Sequence, residues 1–327
     1  MQETLVKNRE ISTLPFTDLY LRLDDASVPA RFRPDPIRTN YSGNLTVPAS
    51  FNQDVGEIRG MLVDQIVSEG TLTYKGLRLR YARFLAAEGE TWAALRAVPL
   101  DLPSIEHLGL HPDFVRMVRG WGQRKGLVLV GGKTGDGKTT TCVAALRDYL
   151  ERIGGLAYTC EDPIEFQLQG AVSDKGFCLQ YEVVDDNDWN PAIKRAMRTR
   201  PDYIFVGEIR TPEAAEHLLK AATSGHLVLT TIHGGSVSDT IAAILHLAEN
   251  KLGPVARQII ADRLVAAVHQ TLTKAGPRIQ CIVPQESSSD MIAQVIKGGD
   301  ISNLSNQVKT YEPARSLRPK SPPTERP

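Results

Sequence analysis

Residues 132–139, Gly132-Lys133-Thr134-Gly135-Asp136-Gly137-Lys138-Thr139, are spaced to hold a chain of phosphates. They match glycine, four residues, glycine, lysine and a hydroxyl without a mismatch. Glycines let backbone N–H groups curl around a phosphate with no Cβ in the way. The Lys138 ammonium can reach β and γ phosphates, and the Thr139 hydroxyl can face Mg²⁺. Gly132, Thr134, Gly135, Gly137, Lys138, Thr139 and Thr140 are therefore the candidate nucleotide-binding set. A glycine-rich turn without a ligand is the plain alternative. Against it, the loop follows the apolar run Leu127-Val128-Leu129-Val130 and opens a helical stretch, which is the context the chemistry needs.

Two carboxylate-bearing segments follow. Tyr203-Ile204-Phe205-Val206-Gly207-Glu208 is an apolar strand ending in an acid, the form of a Walker B element. At a strand's carboxyl end, where ligands bind in open α/β sheets, Glu208 could hold a hydrated metal or polarise water. Thr159-Cys160-Glu161-Asp162-Pro163-Ile164-Glu165-Phe166 crowds acids around a proline turn. Such a group suits water activation beside a γ-phosphate, although an acidic turn taken alone is usually a solvated one. Cys142, Cys160, Cys178 and Cys281 are dispersed, with no C-x-x-C pair and no neighbouring histidine cluster. They read as buried free thiols of a reducing compartment.

The elements that must position these residues show in the hydropathy pattern. Apolar runs at 127–130, 156–159, 203–206 and 227–232 alternate with helical stretches at 138–152, 191–198, 212–223 and 236–247. Alternation of this kind implies parallel strands joined by right-handed crossovers. After Lys251 the chain reads as mostly helical, with Val255 to Gln270 the clearest amphipathic segment. The first hundred residues differ. Asp18 to Leu23 and Leu77 to Tyr81 alternate as half-buried strands do, and Trp92 to Val98 is a further strand candidate. Val55 to Ser68 has helical spacing closed by Gly70, and Pro29, Pro34 and Pro36 interrupt regular structure. Pro99 and Pro103 bracket a linker. The expected organisation is a small α+β domain over 1–100, an α/β nucleotide-binding domain over 101–311 and a disordered tail over 312–327, where five prolines and four basic residues leave almost nothing to bury.

Composition agrees with two globular domains: 327 residues, 42% hydrophobic and 23% charged. Thirty-eight basic residues balance thirty-eight acidic ones, so the general basic excess of a nucleic-acid-coating protein is missing. The first residues lack the apolar core of a signal peptide, and no stretch approaches the roughly 18 apolar residues of a membrane span. A cytoplasmic protein with peripheral membrane contact is expected.

Taken together, the phosphate loop, Glu161-Asp162-Pro163-Ile164-Glu165, Pro201 to Arg210, and Ser224-Gly225-His226-Leu227-Val228-Leu229-Thr230-Thr231-Ile232-His233 resemble, in order and spacing, the secretion ATPase superfamily of type II secretion, type IV pili and type IV secretion. These are the family's Walker A, Asp box, Walker B and His box. The resemblance starts at Thr17-Asp18-Leu19-Tyr20-Leu21 and runs to about residue 305. It implies a RecA-like P-loop core behind a PAS-like N-terminal domain, assembled as a homohexamer. That hexamer would hydrolyse ATP with Mg²⁺ and act on an inner-membrane platform or channel protein, with no sequence-specific nucleic acid. It implies that Glu161 orients the attacking water, that Glu208 and Thr139 serve the metal, and that His226 and His233 sense the nucleotide. Arg80 and Arg96 would reach a neighbouring subunit's γ-phosphate. Their separation is one residue longer than the family's, which keeps Arg78 and Arg83 as competitors.

Departures narrow the branch. Gly234-Gly235 follows His233 where relatives carry a polar residue, and Arg200 replaces an acid before the Walker B Pro-Asp. Met291 to Lys297 keeps the apolar spacing of the retraction motif but lacks its two arginines. The four-cysteine zinc insert of the type II secretion and pilus-extension relatives is missing. The pattern points to the compact branch of pilus-retraction and type IVB secretion or conjugation motors, and leans to the latter. A RecA-class DNA-dependent ATPase and a nucleotide-binding accessory subunit without turnover are the rival readings.

Overall fold

The computed structural model describes residues 9–35, 39, 43–98, 102–183, 185, 188–285 and 290–314. The chain divides into two compact units, Met1–Asp101 and Leu102–Pro327.

In the first unit the strands β1 (Phe16–Arg22), β2 (Arg31–Pro34), β3 (Leu45–Thr46), β4 (Glu69–Tyr74), β5 (Leu77–Leu85) and β6 (Thr91–Val98) form one sheet in the order β3-β2-β1-β6-β5-β4. Every pairing in it is antiparallel. Alternation puts Leu19, Leu21, Leu79, Tyr81, Ala93 and Leu95 on one face, where they bury Val55, Ile58 and Leu62 of helix α1 (Asn52–Val63). The helix stops five residues short of the expected Ser68, and Ile66 is fully exposed. Helical spacing continues past Leu62, but the chain must leave the helix there to enter β4 at Glu69.

The second unit is a nine-stranded sheet between two layers of helices. Its strands are β7 (Gly126–Gly131), β8 (Gly155–Glu161), β9 (Gly170–Ala171), β10 (Gly176–Glu182), β11 (Tyr203–Val206), β12 (Leu227–Ile232), β13 (Leu264–Thr273), β14 (Gly276–Ile282) and β15 (Lys309–Tyr311), in the order β15-β14-β13-β7-β12-β11-β8-β10-β9. The six from β13 to β10 are mutually parallel, as the crossover pattern requires. β7, β11 and β12 are buried along their whole length. One face of the sheet packs on α2 (Pro112–Trp121) and α3 (Lys138–Arg152). The other packs on α4 (Trp189–Arg198), α5 (Pro212–Thr223), α6 (Val237–Leu252) and α7 (Val255–Arg263), with α8 (Met291–Gly298) beside them.

The region after Lys251 corrects the helical expectation. Helix α7 ends at Arg263, and Leu264 onward is strand β13, pairing in parallel with β7 and antiparallel with β14. Leu264-Val265-Ala266-Ala267-Val268 is apolar on every side because both of its faces are covered, and such a run carries no period that separates strand from helix. The start of the expected tail is also held. Glu312 pairs with Arg278, and the Ala314 N–H donates to the Gly109 carbonyl, because β15 extends the antiparallel edge up to that point. Residues 315–327 lie outside the described residues. All four cysteines are buried and free.

Candidate nucleotide site

Because the central strands are parallel, their carboxyl ends share one edge. Val206 lies level with Cys160 and Thr230, and Ile232 with Gly131. The loop after β7, Glu161 at the end of β8, Glu208 two residues past β11 and His233 just past β12 are gathered by that register. Gly137, at φ +79°, takes the left-handed conformation that turns the loop directly into α3. Lys138 is buried, and its ammonium donates to the carbonyls of Gly132 and Lys133, each at 3.0 Å, so it is turned into the curl of the loop. Burial lowers its pKa, while the charges of Glu208, Asp136 and Glu165 oppose that shift.

Glu161 is only 1% exposed. Its Oε1 accepts from the Thr159 hydroxyl at 2.7 Å and from Gln180 Nε2 at 3.1 Å, and Oε2 makes no hydrogen bond among the described residues. Burial pushes its pKa up to about 7, against the pull of the two donors, with the charge of Glu165 adding to the rise. A carboxyl poised near neutrality can take a proton from water at working pH. The shift also sets a pH dependence of folding. The unfolded carboxyl loses its proton near 4.5 and the folded one near 7. Between those values the folded state binds more protons, so Glu161 costs stability as pH rises, up to on the order of 3 kcal/mol above pH 7. Urea unfolding of nucleotide-free protein should therefore show Glu161→Gln gaining on the parent between pH 5 and pH 8. A difference that stays constant with pH would exclude the raised pKa.

Glu208 is clasped from two sides. His233 Nε2 lies 2.9 Å from Oε1, and Arg210 Nε donates to Oε2 at 2.8 Å. The Thr231 hydroxyl fixes the turn by donating to the Gly207 carbonyl at 2.5 Å, and the Gly207 N–H donates to the Cys160 carbonyl. A Cβ at Gly207 would make only ordinary contact, 3.5 Å from the Glu161 Cα. Oxygen donors suit Mg²⁺, and the candidate donors are the Thr139 hydroxyl at the start of α3 and the Glu208 carboxylate, whose two oxygens here are engaged by His233 and Arg210.

His226 is not part of this group. It precedes β12, so it stands at the amino ends of the strands, about 20 Å from His233 at strand rise. It is buried there, its Nδ1 2.6 Å from the Pro201 carbonyl, and its own carbonyl receives the Gly126 N–H. In the first unit, Arg80 and Arg96 face each other across β5 and β6 on the sheet face away from the core. Both are exposed, and Arg96 Nε donates to Asp18 Oδ1 at 2.9 Å. Arg83 has the opposite parity on β5, and its guanidinium donates to the Gln65 carbonyl, whereas Arg78 shares the face of Arg80 and is buried.

Gln180 escaped the motif reading. Its Nε2 donates to both Glu161 and the Phe166 carbonyl, and its Oε1 accepts from the Leu168 N–H, so it ties the acidic turn to β10. The alternation Phe177-Cys178-Leu179-Gln180-Tyr181-Glu182 is the signal that would have placed it on a strand.

A phosphate loop between a central parallel strand and a helix, with carboxylates at the ends of neighbouring strands, defines a P-loop nucleotide-binding protein of the α/β class. Residues 55–303 match the model of the family described as type II/IV secretion system protein, and the chain belongs to that family. It is 32% identical over 225 residues to the type IV pilus retraction ATPase PilT of Pseudomonas aeruginosa, covering 64% of this chain and 63% of that protein's length. The fold matches the crystal structure of the pilus retraction motor PilT with bound ADP at a TM-score of 0.71 and 26% identity, over 91% of this chain and 89% of that one. The ATPase DotB of Legionella pneumophila shares the fold at a TM-score of 0.72 and 19% identity, over 91% and 86% of the two chains. These matches agree with the superfamily to which the four motifs point and with the compact branch to which the departures from them narrow it.

Proposed function

We propose that this protein is a Mg²⁺-dependent ATPase motor that drives a type IV pilus or a type IV secretion or conjugation machine from the cytoplasmic side. The observation that carries the reading is the convergence of Lys138, buried Glu161 and clasped Glu208 on one strand edge. In this assignment the loop amides of residues 132–137 and the Lys138 ammonium bind the phosphate chain, with Thr140 following on α3. Glu161, held by Thr159 and Gln180, orients the water and takes its proton. Thr139 and Glu208 hold Mg²⁺, which when bound neutralises charge on the β and γ phosphates. His233, already on Glu208, is the histidine assigned to nucleotide sensing. His226 is assigned to anchoring the turn before β11, because its ring is spent on the Pro201 carbonyl. The PilT structure with bound ADP supports a nucleotide ligand.

The assembly is proposed as a homohexamer, with the first unit as its PAS-like domain and Arg80 and Arg96 reaching the nucleotide of a neighbour. Its partner would be an inner-membrane platform or channel protein, met at the membrane periphery. Among the described residues no helix is long and apolar enough to cross a membrane.

Paired substitutions test the assignment. Glu161→Gln keeps ATP affinity while turnover falls roughly 10²-fold, the scale of a positioned base. Glu208→Gln also shifts the Mg²⁺ dependence of binding or hydrolysis. Equal and mild effects from both would refute these roles, and hydrolysis stimulated by DNA would favour the RecA-class alternative.

A further inference from the structure

Strand β13, paired with β14 on one side and β7 on the other and assigned no part in the chemistry, grips the phosphate loop. Gln270 on β13 is 2% exposed, and both ends of its amide are engaged. Its Oε1 accepts from the Thr141 hydroxyl on α3 at 2.9 Å, and its Nε2 donates to the Asp136 carbonyl in the loop at 2.7 Å. Asp136 returns the contact. Its Oδ1 accepts from the Leu272 N–H on β13 at 3.1 Å, and its Oδ2 accepts from the Lys133 N–H at 2.7 Å. The approach is close enough to restrict the loop's composition. A Cβ on Gly132 would lie 2.5 Å from the Gln270 carbonyl oxygen, and one on Gly137 would lie 3.1 Å from Gln270 Nε2.

We infer that Gln270 and Asp136 are positioning residues that clasp the phosphate loop to the β13–β14 hairpin, an inference that rests on the nucleotide-site reading above. The physical reason is entropic. The loop holds glycines at 132, 135 and 137, all at positive φ, and by itself pays heavily in conformational freedom to present its amides in one curl. A buried amide that joins the loop to α3, and a loop carboxylate that joins its first turn to β13, remove that freedom before the phosphates arrive. Preorganisation of this kind appears in the affinity for the ligand. Neither group touches a reacting atom in this arrangement.

The test uses the full chain. Gln270→Met keeps the volume and deletes both hydrogen bonds, and should raise the KM for ATP about tenfold or more, with a smaller change in kcat. Thr141→Val should act in the same direction, and Thr141→Ser, which keeps the hydroxyl, should stay near the parent. Asp136→Ala should exceed Asp136→Asn, because asparagine retains an acceptor for one of the two N–H groups. Hydrogen exchange of the amides of residues 133–137, measured without nucleotide, should quicken in Gln270→Met. If that exchange is unchanged and KM is that of the parent, the clasp is overturned. A lowered melting temperature with an unchanged KM would also overturn it, since Gln270 would then be a packing residue only. Absence of ATP binding in the parent would instead sink the nucleotide reading, with the loop exchange still reporting on the clasp.

Discussion

Lys138→Ala is expected to lose ATP binding and to turn over ATP roughly 10³-fold more slowly than the parent, the scale of a removed phosphate clamp in a water-poor site. The ammonium is the group that the loop itself has already enclosed. It is buried, its two donated bonds run to the carbonyls of Gly132 and Lys133, and it lies within the field of Glu208. Alanine removes the point charge on the β and γ phosphates and leaves two loop carbonyls without that donor. Far-UV circular dichroism and a melting curve establish that the variant is folded. A fluorescent ATP analogue titrated against folded protein then measures binding. Parent-like affinity and turnover in Lys138→Ala would remove the phosphate loop from the mechanism.

The second large effect concerns the arginines of the first unit. An arginine supplied by a neighbouring subunit to a transferring phosphoryl group contributes about 10³-fold or more in rate. Arg80 and Arg96 stand side by side on the exposed face of the six-stranded sheet, in the unit that holds no phosphate loop. On the proposed hexamer, Arg80→Ala or Arg96→Ala binds ATP with near-parental affinity and hydrolyses it about 10³-fold more slowly. Mixing either variant with Lys138→Ala should restore part of the activity, because some interfaces then join an intact loop to an intact arginine. Subunit exchange is verified beforehand with two affinity tags. Exchange without recovered activity would refute action between subunits and leave Arg96 as the partner of Asp18 in the sheet. Arg83→Ala serves as the comparison, since its guanidinium is spent on the Gln65 carbonyl on the other face.

Motif spacing was enough to find the phosphate loop, both acidic elements and the pattern of alternating strands and helices. These signals are local: a glycine requirement at a tight turn, an unbroken apolar run in a doubly covered strand, a carboxylate just past such a run. The helix over Lys138–Arg152 and the strand over Leu227–Ile232 follow from residues adjacent in the chain. The segment after Arg263 did not yield in the same way. Leu264 to Val268 is apolar on all sides, and only its place beside β7 makes it a strand.

Tertiary structure alone decided which side chains of those segments meet. His226 and His233 sit in one short motif, yet an extended strand between them sends them to opposite ends of the sheet, while Glu208 and His233, twenty-five positions apart, come within 2.9 Å. Gln270 reaches Asp136 across more than a hundred residues because β13 lies parallel to the strand that launches the loop. Residue types and spacing by themselves determined that a phosphate-binding loop and its carboxylates were present, since backbone conformation and hydropathy are written position by position. What holds that loop, which histidine faces the acid, and why Glu161 titrates near neutrality depend on burial and on partners from distant strands, and those are properties of the packed sheet.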